Sequence, residues 1–493
     1  MRERIQDTRW TGSSPLICML HSQLNTADQQ KVFDPAPRGT RKVILSTNIA
    51  EASLTIDDVV FVVDCGKAKE TTYDHFTRIS QLKAAEMQRS AIHDVCLHAK
   101  MFAPEGMSVK EFLALAPEPP AADAIADSLR FLEQLGALYT EGGARPAGIP
   151  LAKCAEPQLT QLGRLIAHLP LDPPLARLLL FGYSLRCFAP IVTLVALLSN
   201  RDPFTIAGPD EKAAANAVRD DFARRDFSDH AMMLRAFDEW AKVGGGPNAQ
   251  ASWCRQRFIA PAAMKMIHGI RLQLLQEMKR LHFIDDVHRA LDDPMLNEYS
   301  GRWPMIQAAI VAGSHPCIGY AKPPRNKLFK VKTSTDGTAQ LHPASSLRRQ
   351  AMAAHKQAPH MQQYYQGSPK IEYLAFQEHV KIESGLTIRT ASCVPSATVA
   401  LFAGPIRLPK ERLLRFCPAA APKPDGLMQL RFKVMDHFLK VLQKPDHIFD
   451  NESQHLLSAL AFVLESEHRN KGPGFRTALL FERSSTEAIG CGG

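Results

Sequence analysis

The chain has 493 residues, room for about three to four domains at ordinary domain size, and 45% of them are apolar, enough to fill real cores. Its 59 Lys and Arg against 50 Asp and Glu leave a net charge of +9, an excess that suits a polyanionic partner without requiring one. Ten cysteines stand singly with no CxxC pair, which speaks against a zinc knuckle or a redox pair and for reduced thiols inside a cell. No apolar run reaches the roughly 18 residues of a spanning helix, and the charged opening MRERIQDTRW is not expected to act as a secretory signal.

In chain order, residues 1–83 read as α/β. Leu16–Leu20, Val43–Leu45 and Val59–Val63 are short continuous apolar runs bounded by polar turns, as expected of strands buried on both faces. From about 84 to 300 the spacing becomes helical. Val218 and Phe222 lie four apart, Met233, Phe237 and Trp240 follow a capping Ser228, and Leu272, Leu275, Met278 and Leu281 predict a further apolar face. Pro117–Pro120 and Gly244–Pro247 are breaks between helices. From about 305 to 405 the signal predicts a small antiparallel barrel. Leu328–Lys332 alternates, Thr335–Thr338 turns, Ala339–His342 resumes, and Thr398–Phe402 reads as a late strand. Phe416–Gly426 reads as a linker, and Leu439–Leu442 and Leu456–Leu464 as two amphipathic helices.

The segment Ser46-Thr47-Asn48-Ile49-Ala50-Glu51-Ala52-Ser53-Leu54-Thr55-Ile56-Asp57-Asp58 follows one buried run and precedes another. Hydroxyls and backbone N–H groups at a strand's C-terminal end are placed to meet phosphates, although an ordinary strand–turn–helix junction has the same spacing. Its wording resembles motif V of the DEAH-box RNA helicases. Leu20-His21-Ser22 is similar to their motif IV, and Val63-Asp64-Cys65-Gly66-Lys67-Ala68-Lys69-Glu70 to the segment after motif V. Leu159–Gly163 with Leu169–Pro173 resembles the family's winged-helix exit. Asp202–Phe204 and Phe227–His230 with Ala236–Trp240 resemble its ratchet domain, and His342–Ser346 its OB-fold signature. Cys96–Lys100, Ala116–Pro120 and Phe402–Pro405 read most like the member that carries a C-terminal YTH domain. No YTH domain is recognisable, the four Trp being dispersed at 10, 240, 253 and 303.

The resemblance implies a multidomain α/β plus α plus β chain. A partial second RecA-like domain would occupy 1–83, a winged helix 84–162, a helical ratchet bundle 163–304, an OB-fold barrel 305–405, and a linker with a helical extension 406–493. It implies a parent activity of ATP-driven 3′-to-5′ stepping along single-stranded RNA, with ATP and Mg²⁺ as cofactors. It sets Ser22 and Thr47 against the RNA backbone and Thr55 and Asp57 on the nucleotide side; turn or helix caps are the plain alternatives for Ser22, Thr47 and Asp57. Lys322, Arg325, Lys327, Lys330 and Lys332 could face phosphates, or simply solvate a strand edge.

The sequence contains no G-x-x-x-x-G-K-[ST] and no Asp-Glu-x-His. Glu86–Leu97 aligns with the family's winged-helix entrance rather than with its motif VI. That alignment implies an internal deletion of roughly 40 residues near Ala84, a family-level estimate of a span that includes motif VI, and a weakened sheet in 1–83. The expectation is an RNA-binding chain that does not hydrolyse ATP and holds no nucleotide tightly. The alternative is a non-enzymatic RNA-binding or adaptor module. An intracellular setting, cytoplasmic rather than nuclear, with no membrane partner, completes the expectation.

Overall fold

The computed structural model describes residues 15–20, 36–37, 39–46, 72–74, 79–81 and most of 91–470. Within that last span 117–118, 141–155, 206–207, 209, 225, 323–329, 334–336, 351–372, 383–384, 406–407 and 423 fall outside it. The first two predicted strands form: β1 (Leu16–Leu20) and β2 (Lys42–Ser46) pair in parallel, Leu16 opposite Lys42. The predicted strand Val59–Val63 lies outside the described residues. Two short strands, β3 (Thr72–Asp74) and β4 (Ile79–Gln81), form an antiparallel pair.

Three helices follow: α1 (His93–Phe102), α2 (Val109–Leu113) and α3 (Ala122–Leu135). Gly136 ends α3 in the left-handed region (φ 85°), a conformation that costs glycine nothing. The chain then pairs β5 (Leu138–Tyr139) with β6 (Gln158–Leu159) and enters α4 (Gln161–His168). Thr160 caps α4 by accepting from the Gly163 N–H, and its hydroxyl donates to the Gly136 carbonyl at 2.7 Å.

The central bundle holds α5 (Pro173–Ser184), α6 (Phe188–Leu198), α7 (Lys212–Ala223), α8 (Asp229–Ala241), α9 (Gly246–Gln256), α10 (Pro261–Arg280) and α11 (Trp303–Ser314). α5, α6 and α11 are buried on nearly every side, as helices apolar all round must be. Two glycines permit their contact. A Cβ on Gly182 would stand 2.4 Å from Ile191 of α6, and one on Gly313 2.4 Å from Leu178 of α5. The predicted face of α10 buries Leu275 and Met278 together with Met264, Ile267 and Leu274. Leu272 is 40% exposed, a quarter-turn off that stripe.

The β region begins later than its expected start near 305, because α11 takes residues up to Ser314; a fully apolar run does not distinguish a buried helix from a buried strand. Beyond it come β7 (Ile318–Lys322), β8 (Lys330–Lys332), β9 (Thr338–Leu341), β10 (Tyr373–Ile382) and β11 (Gly385–Val394). Pairing runs β7–β8–β9–β11–β10 and returns from β10 to β7, so five strands form a ring; β9–β11 is its parallel pair. Val331, Leu341, Leu374, Phe376 and Ile388 fill its interior. β4 adds outside the ring, in parallel with β10 at His379 and Val380.

Thr398–Phe402 is not a strand. It lies in helix α12 (Ser396–Phe402), buried throughout Thr398–Phe402, and the same ambiguity of a short apolar run explains the difference. The expected linker is largely ordered structure: α13 (Lys410–Phe416), a 3₁₀ turn (Pro418–Ala420), then α14 (Pro424–Gln443). The two predicted C-terminal helices are α14 and α15 (Asn451–Asn470). Phe438 of α14 stacks on Phe181 of α5 at 3.7 Å, and His437 bonds the Ser184 carbonyl at 3.1 Å.

One carboxylate ties the bundle to the ring. Asp229, in the first turn of α8 and 3% exposed, accepts from Ser345 Oγ (2.7 Å), Ser346 Oγ (2.6 Å), Ser346 N (3.0 Å) and Ala391 N (3.2 Å). Beside it Ser228 caps α8 through the Ala231 N–H and meets the Ser392 hydroxyl at 2.5 Å. Replacing Asp229 by Ala strands two buried amides and two hydroxyls. Asp229→Ala should cost about 3–5 kcal/mol of stability and Asp229→Asn, which keeps one acceptor oxygen, roughly half. Urea unfolding of the three proteins checks this, with the order Asp, Asn, Ala expected in the midpoints.

Candidate nucleic-acid interface

The ring presents one cationic, aromatic face. Residues directly opposite in an antiparallel pair share a face, so the pleat defines two cross-strand rows. The first joins Tyr320, Lys332 and Thr338; the second joins Lys322, Lys330 and Gln340. Lys330 and Lys332 are exposed while Val331 between them is fully buried, the alternation expected from Leu328–Lys332. Tyr320 is 44% exposed at the start of the first row. Its ring meets buried Tyr373 of β10 edge-on at 5.5 Å. Tyr373 in turn donates its hydroxyl to the Arg415 carbonyl at 3.1 Å and meets Phe416 at 6.2 Å. Arg389, exposed on β11, stands 3.5 Å from Glu378 of β10, so its charge is partly answered on the surface.

Of the expected contact residues, the structure brings Lys330 and Lys332 together on this face. Lys322 takes its register position opposite Lys330. Ser22, Thr47, Thr55, Asp57, Arg325 and Lys327 lie outside the described residues. Tyr320 was missed. Its signal was available, since Ile318-Gly319-Tyr320-Ala321-Lys322 puts the tyrosine on the parity of the lysine.

The family-like motifs of the later domains meet each other. Asp202 Oδ1 accepts from the Phe204 N–H at 3.0 Å and its Oδ2 from Arg219 Nη2 at 3.0 Å. Arg219 lies 4.6 Å over the Phe204 ring and donates to the Ala344 carbonyl at 3.2 Å. Arg349 donates to the same carbonyl at 3.2 Å and to Asp220 at 2.9 Å. Asp202–Phe204, Phe227–His230 and His342–Ser346 therefore form the seam between bundle and ring.

The histidines are structural too. His98 bonds the carbonyls of Asp94 (2.9 Å) and Ala167 (3.0 Å). His230 sits in the first helical turn, as expected, with Nδ1 2.7 Å from Ser392 Oγ, and burial pushes its imidazole down to about 4. His468 of α15 joins Gln307 of α11 at 2.5 Å, and burial likewise pushes it down to about 4. Among the described residues no group of three His, Cys, Asp or Glu could hold a metal ion, and no helix is long and apolar enough to cross a membrane.

Residues 7–90 match the helicase conserved C-terminal domain, 172–233 the ratchet-like helicase-associated domain, and 306–406 the oligonucleotide/oligosaccharide-binding fold. The chain is 28% identical over 514 residues to the DExH-box ATP-dependent RNA helicase DExH1 of Arabidopsis thaliana, covering 94% of this chain and 48% of that protein. It is 30% identical over 374 residues to the ATP-dependent DNA/RNA helicase DHX36 of Homo sapiens, covering 67% of this chain and 35% of that one. The chain belongs to the DEAH-box helicase family and corresponds to its C-terminal half. It spans about half or less of the length of these relatives.

Two buried histidines, His230 and His468, set an acid limit. Each has a folded pKa near 4 against roughly 6.5 unfolded. Their contribution is therefore complete above about pH 6.5, falls as pH drops towards 4, and is flat below that. The loss should reach roughly 3 kcal/mol per histidine. Denaturant midpoints measured from pH 7 to 4 should fall less steeply in His468→Gln than in the parent.

Proposed function

We propose that this chain is the RNA-gripping part of an ATP-dependent 3′-to-5′ RNA helicase, and that as it stands it binds single-stranded RNA without hydrolysing ATP. The observation that carries the RNA half is the pair of exposed lysines, Lys330 and Lys332, on a ring that matches the OB-fold. The names of the relatives, helicases of RNA or of DNA and RNA, support the same polyanion. We read the ring as the barrel, and residues 84–162 as the winged helix on account of the three helices α1–α3, the short antiparallel pair β5–β6 and the Leu159–Gly163 segment. The wording of segments such as Cys96–Lys100 supports reading the chain beside the YTH-carrying member.

Binding through this face is mostly backbone electrostatics. The lysines neutralise phosphates and release counterions, so affinity falls with salt at roughly 0.7 log units per log unit of salt for each phosphate contacted on a single strand. Replacing Lys327, Lys330 and Lys332 by Ala should shallow that slope by about 1.4–2.1 and leave sequence preference nearly unchanged. A triple variant that titrates like the parent would show the lysines to be a solvated strand edge.

ATP and Mg²⁺ belong to the family's chemistry. They need a phosphate cradle and a carboxylate that the sequence does not contain. Loss of groups that act as a unit leaves little residual turnover. The purified chain should therefore show no RNA-stimulated ATP hydrolysis. Steady-state turnover above buffer that disappears in Asp57→Ala would overturn this, and an inactive chain that also ignores RNA would favour an adaptor module.

A further inference from the structure

We propose that Tyr320 is a base-stacking residue, and that the ring face takes one unpaired base of a single-stranded RNA on this tyrosine while Lys332 and Lys330 hold the flanking phosphates. The proposal rests on the RNA-binding role of that face and adds to it a contact with a base.

A single exposed aromatic residue is ordinary on a protein surface. Tyr320 differs in how it is held. Its ring meets that of Tyr373 at a steep angle, and Tyr373 is buried and pinned by its own hydroxyl on the Arg415 carbonyl and by Phe416. The aromatic ladder thus runs from the surface into α13, and the outermost ring has little rotamer freedom left to lose on binding. Tyr320 stays 44% exposed, which leaves ring surface for another planar group.

The neighbours select the ligand. Directly across β8 stands Lys332, and Lys330 follows two residues on, roughly 6–7 Å along the same face. Thr338 and Gln340 continue the two rows and carry hydroxyl and amide groups suited to a ribose or a base edge. Among the described residues of the two rows, the side chains are cations, a tyrosine and neutral polar groups, which suits an acidic or phosphorylated ligand. A platform for one flat ring beside ordered cations is how single strands are held without sequence readout, since every base has a π-face.

Stacking and phosphate contact separate experimentally. Fluorescence anisotropy of the full chain with a 12-mer oligouridylate, and with a 12-mer abasic ribose-phosphate strand, reads both. The parent should prefer the oligouridylate. Tyr320→Ala should weaken it by roughly 5- to 100-fold, the usual worth of one stacked base, with unchanged salt slope and no effect on the abasic strand. Tyr320→Phe should restore binding, which a loss of fold in the alanine variant cannot mimic. Lys330→Ala and Lys332→Ala should weaken both strands alike and shallow the slope. In the unaltered protein, irradiation with a 5-iodouridine strand should cross-link at Tyr320, read by peptide mapping. If Tyr320→Ala binds oligouridylate like the parent while the lysine variants lose it, stacking is overturned and the phosphate-binding face stands. If the parent binds neither strand, as expected of a face that takes a protein partner, both the face and the stacking fall together.

Discussion

A buried carboxylate with four donors around it is the constraint on which this architecture rests. Asp229 stands at the head of α8, where the unpaired N–H groups and helix dipole favour negative charge. Its remaining capacity is used by Ser345 and Ser346, from the turn that follows β9, and by the Ala391 amide of β11. Taking a carboxylate out of water is costly, and only a full set of donors offsets the cost. Such a set exists in one relative placement of bundle and ring. A slip of either element would leave both the carboxylate and several amides buried and unanswered. Arg219 and Arg349, both reaching the Ala344 carbonyl, hold the neighbouring turn in the same placement.

The C-terminal helices are attached by different means. Stacked Phe181 and Phe438, neutral His437 on the Ser184 carbonyl, and neutral His468 on Gln307 join them to the bundle. Gln307 passes the connection on to the Cys393 carbonyl of β11 at 2.8 Å. Two buried guanidiniums close the same region. Arg431 donates to the Ala400 and Pro405 carbonyls and Arg177 to that of Gly404, at the C-terminal end of α12, where the partial negative charge of the helix favours cations. Burial lowers both, Arg177 to about 9 and Arg431 to about 10. The extension beyond residue 406, where the OB-fold match ends, is thereby part of the same packed body.

Surface and seam divide the work. The motifs that most resemble the family in this region, Asp202–Phe204, Phe227–His230 and His342–Ser346, are spent on joining domains. The candidate ligand face is built from residues with no distinctive wording, a tyrosine and lysines at alternating positions. A motif is distinctive when several side chains must fit one another at once, which is the demand of a buried polar seam. A cationic strand face asks only for charge and parity.

How much was legible follows from that difference. The sequence by itself determined the first two strands, the helical middle, the capping role of Ser228, the C-terminal helix pair and the family, because period, caps and motif wording are local properties of the chain. It also marked Lys330 and Lys332 as outward-facing, since alternation about Val331 is local too. Only the tertiary structure decided that residues 303–314 and 398–402 are helices, because a wholly apolar run carries no period and its burial, not its pattern, settles its form. Only the fold decided that Asp229 answers Ser345, Ser346 and Ala391, more than a hundred residues away, since a hydrogen-bond partner set is a property of strands and helices already brought together. Tyr320's parity with Lys322 was local, but its partners were not: register across β7, β8 and β10 exists only once the ring has closed.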